Sequence, residues 1–343
     1  MTLYVTATDD GEVPVFAIDV ATGAVTKLVA GGELTAPALL GDELVFGRHS
    51  FQAPTDLWAV AAGGGEPRRL TEHNRERLDD VAFGAAERLR FAGWNGETVS
   101  GWVIRPVGFE AGKKYPIAFL IHGGPQGSWT DEFHYRWNAQ IYAGAGYGAV
   151  LIDFHGSTGY GQAFTDAIRD DWGGKPLEDL RKGYAAALQK HGWLDAERAC
   201  ALGASYGGYM VNWIAGNWNE PWKCLVNHDG LFDLRSMYFA TEELWFPEWD
   251  LAGTPWTNPE GYSRHNPADH VAKWRVPTLV VHGEQDHRVP VTQGFQAFTA
   301  LQRRGVPSRL LYYPDENHFV VRPSNSVLWH DTVLGWLNRW AVE

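Results

Sequence analysis

Short apolar runs alternate with amphipathic stretches from about residue 87 to the end of the chain, and this alternation constrains the fold more than any other feature. Runs such as 117–121 and 278–281 are almost entirely apolar, which is typical of strands buried in a parallel sheet. The stretch 177–191 carries its large apolar residues on one stripe, as an amphipathic helix does. Strands that alternate with helices over so long a segment predict a doubly wound, mostly parallel α/β sheet over residues 87–343.

Residues 1–80 have a different pattern, in which short β-like runs recur after about 40 residues. The runs at 3–8, 13–18 and 25–29 are followed by similar runs at 44–47, 56–60 and 67–71. Several short strands per unit of this length indicate the blades of a β-propeller. Only about two units are present, and a closed propeller needs at least four blades. We therefore expect a partial β-propeller, the tail of a longer array, with an ordinary small β-meander as the alternative.

Charge and hydropathy exclude several classes of function. Acidic residues outnumber basic ones by 41 to 29, giving a net charge of −12 without any basic run, which argues against binding to nucleic acid or anionic lipid. No apolar window approaches the roughly 18 residues of a membrane span. The N-terminus also lacks the charged and apolar regions of a signal peptide.

The chain has two cysteines, Cys200 and Cys224, which are too few for a disulfide framework or a cysteine-rich zinc site. Both lie near the starts of strands that could be neighbours. We expect free buried thiols, with a disulfide between them as the alternative.

The segment Gly203-Ala204-Ser205-Tyr206-Gly207 matches the pattern Gly-x-Ser-x-Gly between an apolar run and a helical stretch. In that context the two glycines permit a sharp strand-to-helix turn, which holds the serine in a strained and exposed position. The new helix starts beneath the serine, so its free N–H groups and its dipole face developing negative charge. The motif predicts that Ser205 is a catalytic nucleophile.

A serine nucleophile needs a base and an acid that orients the base, and these follow in the order Ser, Asp, His in α/β-hydrolases. Asp286 comes after the run 278–281, and His318 comes after the run 309–313. Both lie just past strand ends, at the edge where open α/β sheets place their sites. We expect Asp286 and His318 to complete a triad with the serine. The fallback acid is Glu284, and the rival histidines are His282, His287 and His330.

The tetrahedral intermediate of acyl transfer needs two hydrogen-bond donors for its oxyanion. The backbone N–H of Tyr206 is one candidate because it follows the nucleophile, and the loop His122-Gly123-Gly124-Pro125 supplies the other. Adjacent glycines let a backbone amide approach the substrate without a Cβ in the way. We expect the amides of Tyr206 and Gly124 to form the oxyanion hole, with a simple strand-ending turn as the alternative for the glycine loop.

Five segments carry a family resemblance: His-Gly-Gly-Pro (122–125), Gly-Ser-Thr-Gly-Tyr-Gly (156–161), Gly-Ala-Ser-Tyr-Gly-Gly-Tyr-Met (203–210), His-Gly-Glu-Gln-Asp (282–286) and Glu-Asn-His (316–318). They resemble the prolyl oligopeptidase family, in its branch of acylaminoacyl peptidases and dipeptidyl-peptidase V enzymes. The segments 228–233 and 243–247 resemble the dipeptidyl-peptidase V side. The resemblance covers about residues 90–343, and it implies a two-domain serine peptidase in which a β-propeller covers an α/β-hydrolase domain. Where the family often has Arg, this chain has His155.

The resemblance also implies roles in substrate binding. Arg288 matches a position that in this branch binds a substrate carbonyl near the cleaved bond, a task that suits the fixed and permanently charged donors of arginine. A surface salt bridge is the alternative for this residue. The region that lines the first specificity pocket in the family matches Phe232, Met237, Tyr238 and Phe239, and plain core packing is the alternative for these four.

Together these residues predict a serine peptidase of the dipeptidyl- or acylaminoacyl-peptidase type, which hydrolyses short peptides through an acyl-enzyme without a metal or cofactor. An esterase on small acyl esters is the alternative within the enzyme class, since the same machinery cleaves both. An inactive fragment that serves as an assembly module is the alternative outside it. Because two blades cannot close a ring, we expect residues 1–80 to mediate a homo-oligomer or to associate with the missing part of the propeller.

Overall fold

The computed structural model describes residues 1–342, which form one large mixed β-sheet with flanking helices and two smaller sheets near the N-terminus. The strands are β1 (Thr2–Thr6), β2 (Val15–Asp19), β3 (Val25–Val29), β4 (Glu33–Leu40), β5 (Glu43–Ser50), β6 (Ala53–Ala61), β7 (Arg68–Arg69), β8 (Ala86–Ala92), β9 (Thr98–Ile104), β10 (Tyr115–Ile121), β11 (Gly148–Asp153), β12 (Leu194–Ala204), β13 (Trp222–His228), β14 (Thr278–Gly283) and β15 (Ser308–Tyr313). The α-helices are α1 (Arg75–Leu78), α2 (Ala139–Gly144), α3 (Gln162–Asp166), α4 (Lys175–Lys190), α5 (Tyr206–Asn217), α6 (Leu234–Tyr238), α7 (Trp245–Asp250), α8 (Thr292–Arg303) and α9 (Pro323–Ala341). Short 3₁₀ segments cover Trp94–Gly96 and Pro267–Lys273.

The large sheet has eight strands in the order β15-β14-β13-β12-β10-β11-β9-β8. Strands β10 to β15 run parallel to one another, whereas β9 pairs antiparallel with β11 and β8 pairs antiparallel with β9 at one edge. Every residue of β11 and of β14 is buried, which explains why these segments are apolar without alternation. The predicted mostly parallel α/β sheet over this part of the chain is therefore confirmed.

Helices cover both faces of this sheet. Alternate residues of each strand point to opposite faces, so the apolar strands present an apolar surface on each face that the helices bury. In β10, Ile117 and Phe119 belong to the core that contains residues of α4, α5 and α8, whereas Ala118 and Leu120 belong to the core that contains residues of α2 and α9. The helix predicted around 177–191 is present as α4, and the helical stretch predicted after the Gly-x-Ser-x-Gly motif is present as α5. Among residues 1–342, no helix combines the length and the hydropathy that crossing a membrane requires.

The two N-terminal sheets follow the repeat seen in the sequence. β1, β2 and β3 form an antiparallel sheet from the first unit, and β5, β6 and β7 form a second one, to which β4 is added. The first sheet is tied to the large sheet by Asp10, which accepts hydrogen bonds from Arg88 at 2.6 Å and from Ser100 at 3.0 Å. The second is tied by Phe51, whose ring packs edge-on against Trp102 with a centroid distance of 5.2 Å.

A buried ion pair fixes the loop after β11. His155 Nδ1 lies 2.5 Å from Asp179 Oδ2 in α4, and the same oxygen accepts the backbone N–H of His155 at 2.7 Å. Burial disfavours a charged imidazole, but Asp179 and Glu97 outweigh that effect and raise the pKa of His155. The histidine therefore supplies the positive partner that a buried carboxylate requires.

The two cysteines are joined in a disulfide. Cys200 in β12 and Cys224 in β13 are register partners on adjacent strands, with their Cα atoms 4.7 Å apart. The expectation of free thiols is therefore wrong. The sequence indicates the two strands but not their register, and it is the register that brings both side chains together on the same face of the sheet.

Candidate active site

Ser205 stands at the turn between β12 and α5, with a positive φ of 59°. Residues other than glycine rarely adopt this conformation, and here it produces the sharp turn that raises the side chain at the end of the sheet. The backbone N–H of Ser205 donates to the carbonyl of His228 at 3.0 Å, which fixes the turn to the end of β13. Ser205 is only partly buried, whereas the residues of α5 that follow it are buried.

The glycines of the motif are needed because backbones approach one another closely at this turn. A Cβ at Gly203 would lie 2.4 Å from the carbonyl carbon of Gly207, and a Cβ at Gly207 would lie 2.2 Å from the carbonyl oxygen of Ile121. A Cβ at Gly123, in the loop after β10, would lie 3.3 Å from the Cβ of Ser205. The pattern Gly-x-Ser-x-Gly is therefore a steric requirement of the place where β10, β12 and α5 meet.

His318 and Asp286 meet at the same edge of the sheet. His318 Nδ1 lies 2.6 Å from Asp286 Oδ2, so the carboxylate accepts a hydrogen bond from the ring. The other oxygen, Oδ1, accepts the backbone N–H groups of Arg288 at 3.0 Å and of Val289 at 2.9 Å. These two amides orient the carboxylate, and the carboxylate in turn holds the histidine in the tautomer whose Nε2 is free to act as a base.

Ser205 and His318 line one cavity of about 420 Å³. No hydrogen bond joins the two side chains within residues 1–342, and this contact often tightens only when a substrate is bound. The structure thus brings the predicted nucleophile, base and acid together at one edge of the sheet, although their roles in catalysis stay a prediction.

The rival residues are engaged elsewhere. Glu284 is exposed and accepts a hydrogen bond from Tyr312. His287 is also exposed, and His330 contacts the backbone carbonyl one turn earlier in α9 at 2.8 Å. His282 is buried, and its Nε2 donates to a backbone carbonyl at 2.8 Å. None of these four side chains lines the cavity, as far as the described residues 1–342 extend.

The candidate oxyanion donors, Gly124 and Tyr206, both border the cavity. Gly124 has a φ of 117°, a conformation that a side chain would disfavour. Its loop is held by His122, whose Nδ1 lies 2.8 Å from the carbonyl of Gly123 and whose Nε2 lies 2.8 Å from the hydroxyl of Ser157. Burial lowers the pKa of His122 to about 4, so this ring is neutral. Tyr206 is the first residue of α5, where backbone N–H groups have no partner within the helix.

Two of the predicted substrate-binding residues reach the cavity, namely Arg288 and Met237. The guanidinium of Arg288 lies 3.1 Å from Glu243 Oε1 and 5.6 Å from the centre of the Phe319 ring. Met237 is buried in α6 and presents an apolar surface to the cavity. Because Arg288 and Ser205 line the same cavity, the arrangement is compatible with the expected contact of Arg288 to a substrate carbonyl.

The structure does not bring Phe232 and Phe239 to this cavity, which corrects the expected pocket wall. Phe232 packs edge-on against Trp274 with a centroid distance of 5.7 Å and faces α8. Phe239 lies just after α6 and is 71% exposed, and Tyr238 donates a hydrogen bond to Glu248 at 2.8 Å. Both residues lie outside the short helix α6, Phe232 before it and Phe239 after it, whereas Met237 within the helix reaches the cavity.

Sequence reasoning missed an acid in the cavity wall. Glu132 lines the cavity together with Trp137, both in the segment between β10 and α2. Burial raises the pKa of Glu132 to about 7, and the nearby charge of Glu33 adds to the shift while Arg136 opposes it. Within residues 1–342 its carboxylate forms no hydrogen bond or ion pair. The one indication of this acid in the sequence is its position in a loop that follows the carboxyl end of a predicted strand.

Within residues 1–342, one trio of side chains has the proximity that a metal ion would need. Atoms of Asp229, His282 and Asp286 lie within 4.8 Å of one another, and all three residues are buried. Asp286 is already bound to His318 and to two backbone amides, and His282 donates to a backbone carbonyl. These engagements leave no set of free ligands, so we assign no metal to the trio.

Comparison with known proteins gives one family. The model of the prolyl oligopeptidase family matches residues 133–343. The dipeptidyl-peptidase 5 of Schizosaccharomyces pombe is 47% identical over 304 residues, which cover 86% of this chain and 44% of that protein. The probable dipeptidyl-peptidase 5 of Aspergillus clavatus is 39% identical over 350 residues, which cover 99% of this chain and 48% of that protein. The chain therefore spans less than half the length of these curated relatives.

Among solved structures, the acylaminoacyl peptidase of Pyrococcus horikoshii superposes with a TM-score of 0.90 at 23% sequence identity. The match covers 99% of this chain and 54% of that chain. At this level of identity the likeness shows the fold, which is an α/β-hydrolase fold with a mixed sheet. Because nearly the whole chain superposes, the match includes the two small N-terminal sheets.

Proposed function

Because this chain belongs to the prolyl oligopeptidase family of serine peptidases, we propose that it hydrolyses short peptides by attack of Ser205 on the scissile carbonyl. The observation that carries the proposal is the pairing of His318 with Asp286 at 2.6 Å, beside the cavity that also exposes Ser205. A serine raised at a helix N-terminus and a histidine oriented by a carboxylate are the parts that acyl transfer needs.

In the proposed reaction, His318 Nε2 takes the hydroxyl proton of Ser205 as its oxygen bonds to the substrate carbonyl carbon. The backbone amides of Tyr206 and Gly124 donate to the resulting oxyanion. His318 then gives the proton to the leaving amine, the C–N bond breaks and an ester remains on Ser205. Water attacks this ester with His318 again as the base, which releases the acid product and restores the serine. Asp286 stabilises the imidazolium in both steps.

The relatives named above suggest two kinds of substrate, since a dipeptidyl-peptidase releases dipeptides and an acylaminoacyl peptidase removes a blocked residue. We favour the first kind for this chain because Glu132 places an unpaired carboxylate in the cavity wall. A carboxylate without a partner suits a free ammonium group and disfavours an acyl cap. In this proposal Arg288 binds a substrate carbonyl next to the cleaved bond, and Met237 contributes to the apolar pocket for the adjacent side chain.

Three chromogenic substrates test this function: a dipeptidyl anilide with a free amino group, an acyl-alanyl anilide and a short-chain nitrophenyl ester. We expect kcat/KM to be largest for the dipeptidyl anilide. Cleavage of the ester alone would replace the peptidase by an esterase, and preference for the blocked anilide would reverse the role of Glu132. The matched variant Glu132→Gln should slow only the dipeptidyl anilide, because the other two substrates carry no ammonium group.

Ser205→Ala is the reference for all three substrates. We expect it to lose on the order of 10⁴-fold or more in turnover, and to escape labelling by a fluorophosphonate that labels the wild-type chain. A chain that neither turns over substrate nor takes the label would instead be the inactive assembly module considered above.

We also propose that residues 1–80 are a partial β-propeller attached to the α/β-hydrolase domain of residues 87–343. Two antiparallel sheets that repeat along the sequence support this, as does a structural likeness that extends over both. Apolar side chains on their edge strands are exposed, with Leu40 at 73% and Val25 at 61%. Unpaired strand edges with apolar side chains favour contact with another chain, either a second copy or the remaining blades.

A further inference from the structure

A second buried carboxyl group lies beside His318. Asp229 follows β13, is fully buried, and has its Oδ2 3.7 Å from His318 Nδ1. Asp286 Oδ2 is the nearer acid, at 2.6 Å from the same nitrogen. Two acids from the ends of neighbouring strands therefore face one nitrogen of His318, and the reaction described above uses only one of them.

The surroundings of Asp229 decide which of the two acids carries charge. Five titratable or charged groups face Asp229. They are His228 in β13, His282 in β14, Asp286 in the loop after β14, His318 in the loop after β15 and Arg136 in the segment before α2. His228 Nε2 lies 2.9 Å from Asp229 Oδ2, but burial lowers the pKa of His228 to about 3, so this ring offers no positive charge.

The environment of Asp229 favours its protonated form. Burial raises the pKa of Asp229 to about 7, and the charge of Asp286 adds to the shift, while His282, His318 and the backbone N–H of Gly283 oppose it. Asp286 is stabilised as an anion by two backbone N–H groups and by His318. Because two carboxylates this close resist ionising together, Asp229 is neutral in acid and gains its charge as the pH rises through neutrality.

We propose that Asp229 is a positioning residue that makes His318 a stronger base when Asp229 is ionised. The proposal rests on the triad of the proposed function. The second negative charge appears 3.7 Å from His318 Nδ1, where it stabilises the imidazolium that forms as His318 takes the proton of Ser205. By Coulomb's law a unit charge at this distance favours the cation about fivefold even with water-like screening, and more in a buried site.

The variant Asp229→Asn tests this without changing the shape of the site. Asparagine is isosteric with aspartate, cannot ionise, and tolerates the positive φ of 50° at this position. The measurement is kcat/KM on the short-chain nitrophenyl ester from about pH 5.5 to about pH 9, read at an isosbestic wavelength and divided by the concentration of active sites from fluorophosphonate titration. We expect wild type and variant to agree below neutrality, and their ratio to rise to about fivefold or more above it.

A ratio that stays constant across the pH range would mean that Asp229 only shapes its loop, and would overturn the proposal. A variant that is faster than wild type in alkaline solution would overturn it as well. Asp229→Gly, which also accepts the positive φ, should show the same rising ratio, because it too lacks the charge.

Asp153→Asn is the matched control. Burial also raises the pKa of Asp153 to about 7, but its carboxylate binds the backbone of Trp129 and the hydroxyl of Tyr160 instead of the triad. Its ratio to wild type should not vary with pH, and a rise like that of Asp229→Asn would overturn the proposal. Ser205→Ala distinguishes a failure of the proposed function from a failure of the role of Asp229. If Ser205→Ala kept full turnover, the proposed function would be wrong, whatever the result for Asp229→Asn.

Discussion

The substitution Asp286→Asn gives the sharpest test of the triad, because the structure dictates how the new amide must sit. Asp286 Oδ1 accepts two backbone N–H groups, from Arg288 at 3.0 Å and from Val289 at 2.9 Å. An asparagine keeps both hydrogen bonds only if its oxygen takes that place, which turns its NH₂ group toward His318. The amide then donates to Nδ1, the ring proton resides on Nε2, and His318 can no longer accept the proton of Ser205.

The opposite orientation of the amide does not rescue the enzyme. It would restore an acceptor for His318, but it would lose two backbone hydrogen bonds worth about 0.5–1.5 kcal/mol each. It would also point the NH₂ group of the asparagine at the backbone N–H groups of Arg288 and Val289, which are donors too. The wrong tautomer therefore dominates. Holding the catalytic histidine in the wrong tautomer costs about 10⁴-fold in turnover, which corresponds to about 5.5 kcal/mol of transition-state stabilisation.

The assay is kcat for the dipeptidyl anilide, together with the rate of fluorophosphonate labelling and the midpoint of thermal unfolding. Glu284→Gln is the matched control, because Glu284 lies two residues earlier, is exposed and contacts Tyr312 instead of His318. We expect Asp286→Asn to stay folded and lose about four orders of magnitude in both rates, and Glu284→Gln to keep wild-type rates. Near wild-type turnover in Asp286→Asn, or a comparable loss in Glu284→Gln, would refute the assignment of the acid.

Three further outcomes are expected. Arg288→Ala should lower kcat/KM for the dipeptidyl anilide on the order of ten- to a hundredfold and spare the nitrophenyl ester, because a charged hydrogen bond to a second carbonyl is worth about 1.5–3 kcal/mol; equal losses on both substrates would remove Arg288 from the binding site. His155→Gln should lower the free energy of unfolding more at about pH 6 than at about pH 9. The raised pKa of His155 stabilises the fold below the unfolded-state pKa of about 6.5, and this contribution is lost as the pH rises through the folded-state pKa. Denaturant titrations with equal losses at both pH values would contradict this prediction. Light scattering should give more than the monomer mass for the full chain, owing to the exposed strand edges in residues 1–80, and a clean monomer would count against that role.

The sequence predicts the parts of the fold and site in which the backbone geometry requires a particular residue type or in which residues follow the ends of strands. Gly203 and Gly207 have no space for a Cβ, so the motif around Ser205 identifies the strand-to-helix turn without knowledge of the rest of the fold. The meeting of Asp286 and His318 could be predicted because both follow predicted strands, and the carboxyl ends of parallel strands meet at one edge of the sheet.

The parts that could not be predicted depend on register and on the direction of side chains. Cys200 and Cys224 lie in strands that the sequence indicates, but only the pairing of β12 with β13 makes them neighbours. Phe232 and Phe239 flank a helix of five residues, in which a single step along the chain turns a side chain by about 100°. Composition in such a segment indicates an apolar wall but does not say which residue faces the cavity.

Three acids at this edge of the sheet show where this limit has chemical consequences. Glu132, Asp229 and Asp286 all follow strands that end at the catalytic edge, and as sequence letters each is simply an acidic residue in a loop. Their environments make them different: backbone N–H groups stabilise the charge of Asp286, whereas burial raises the pKa of Glu132 and of Asp229 to about 7. Asp286 is thus suited to orient His318, and we propose that Asp229 responds to pH beside that histidine and that Glu132 binds the ammonium group of a substrate. The assignment of roles follows from solvation and hydrogen bonding, which only the folded chain determines.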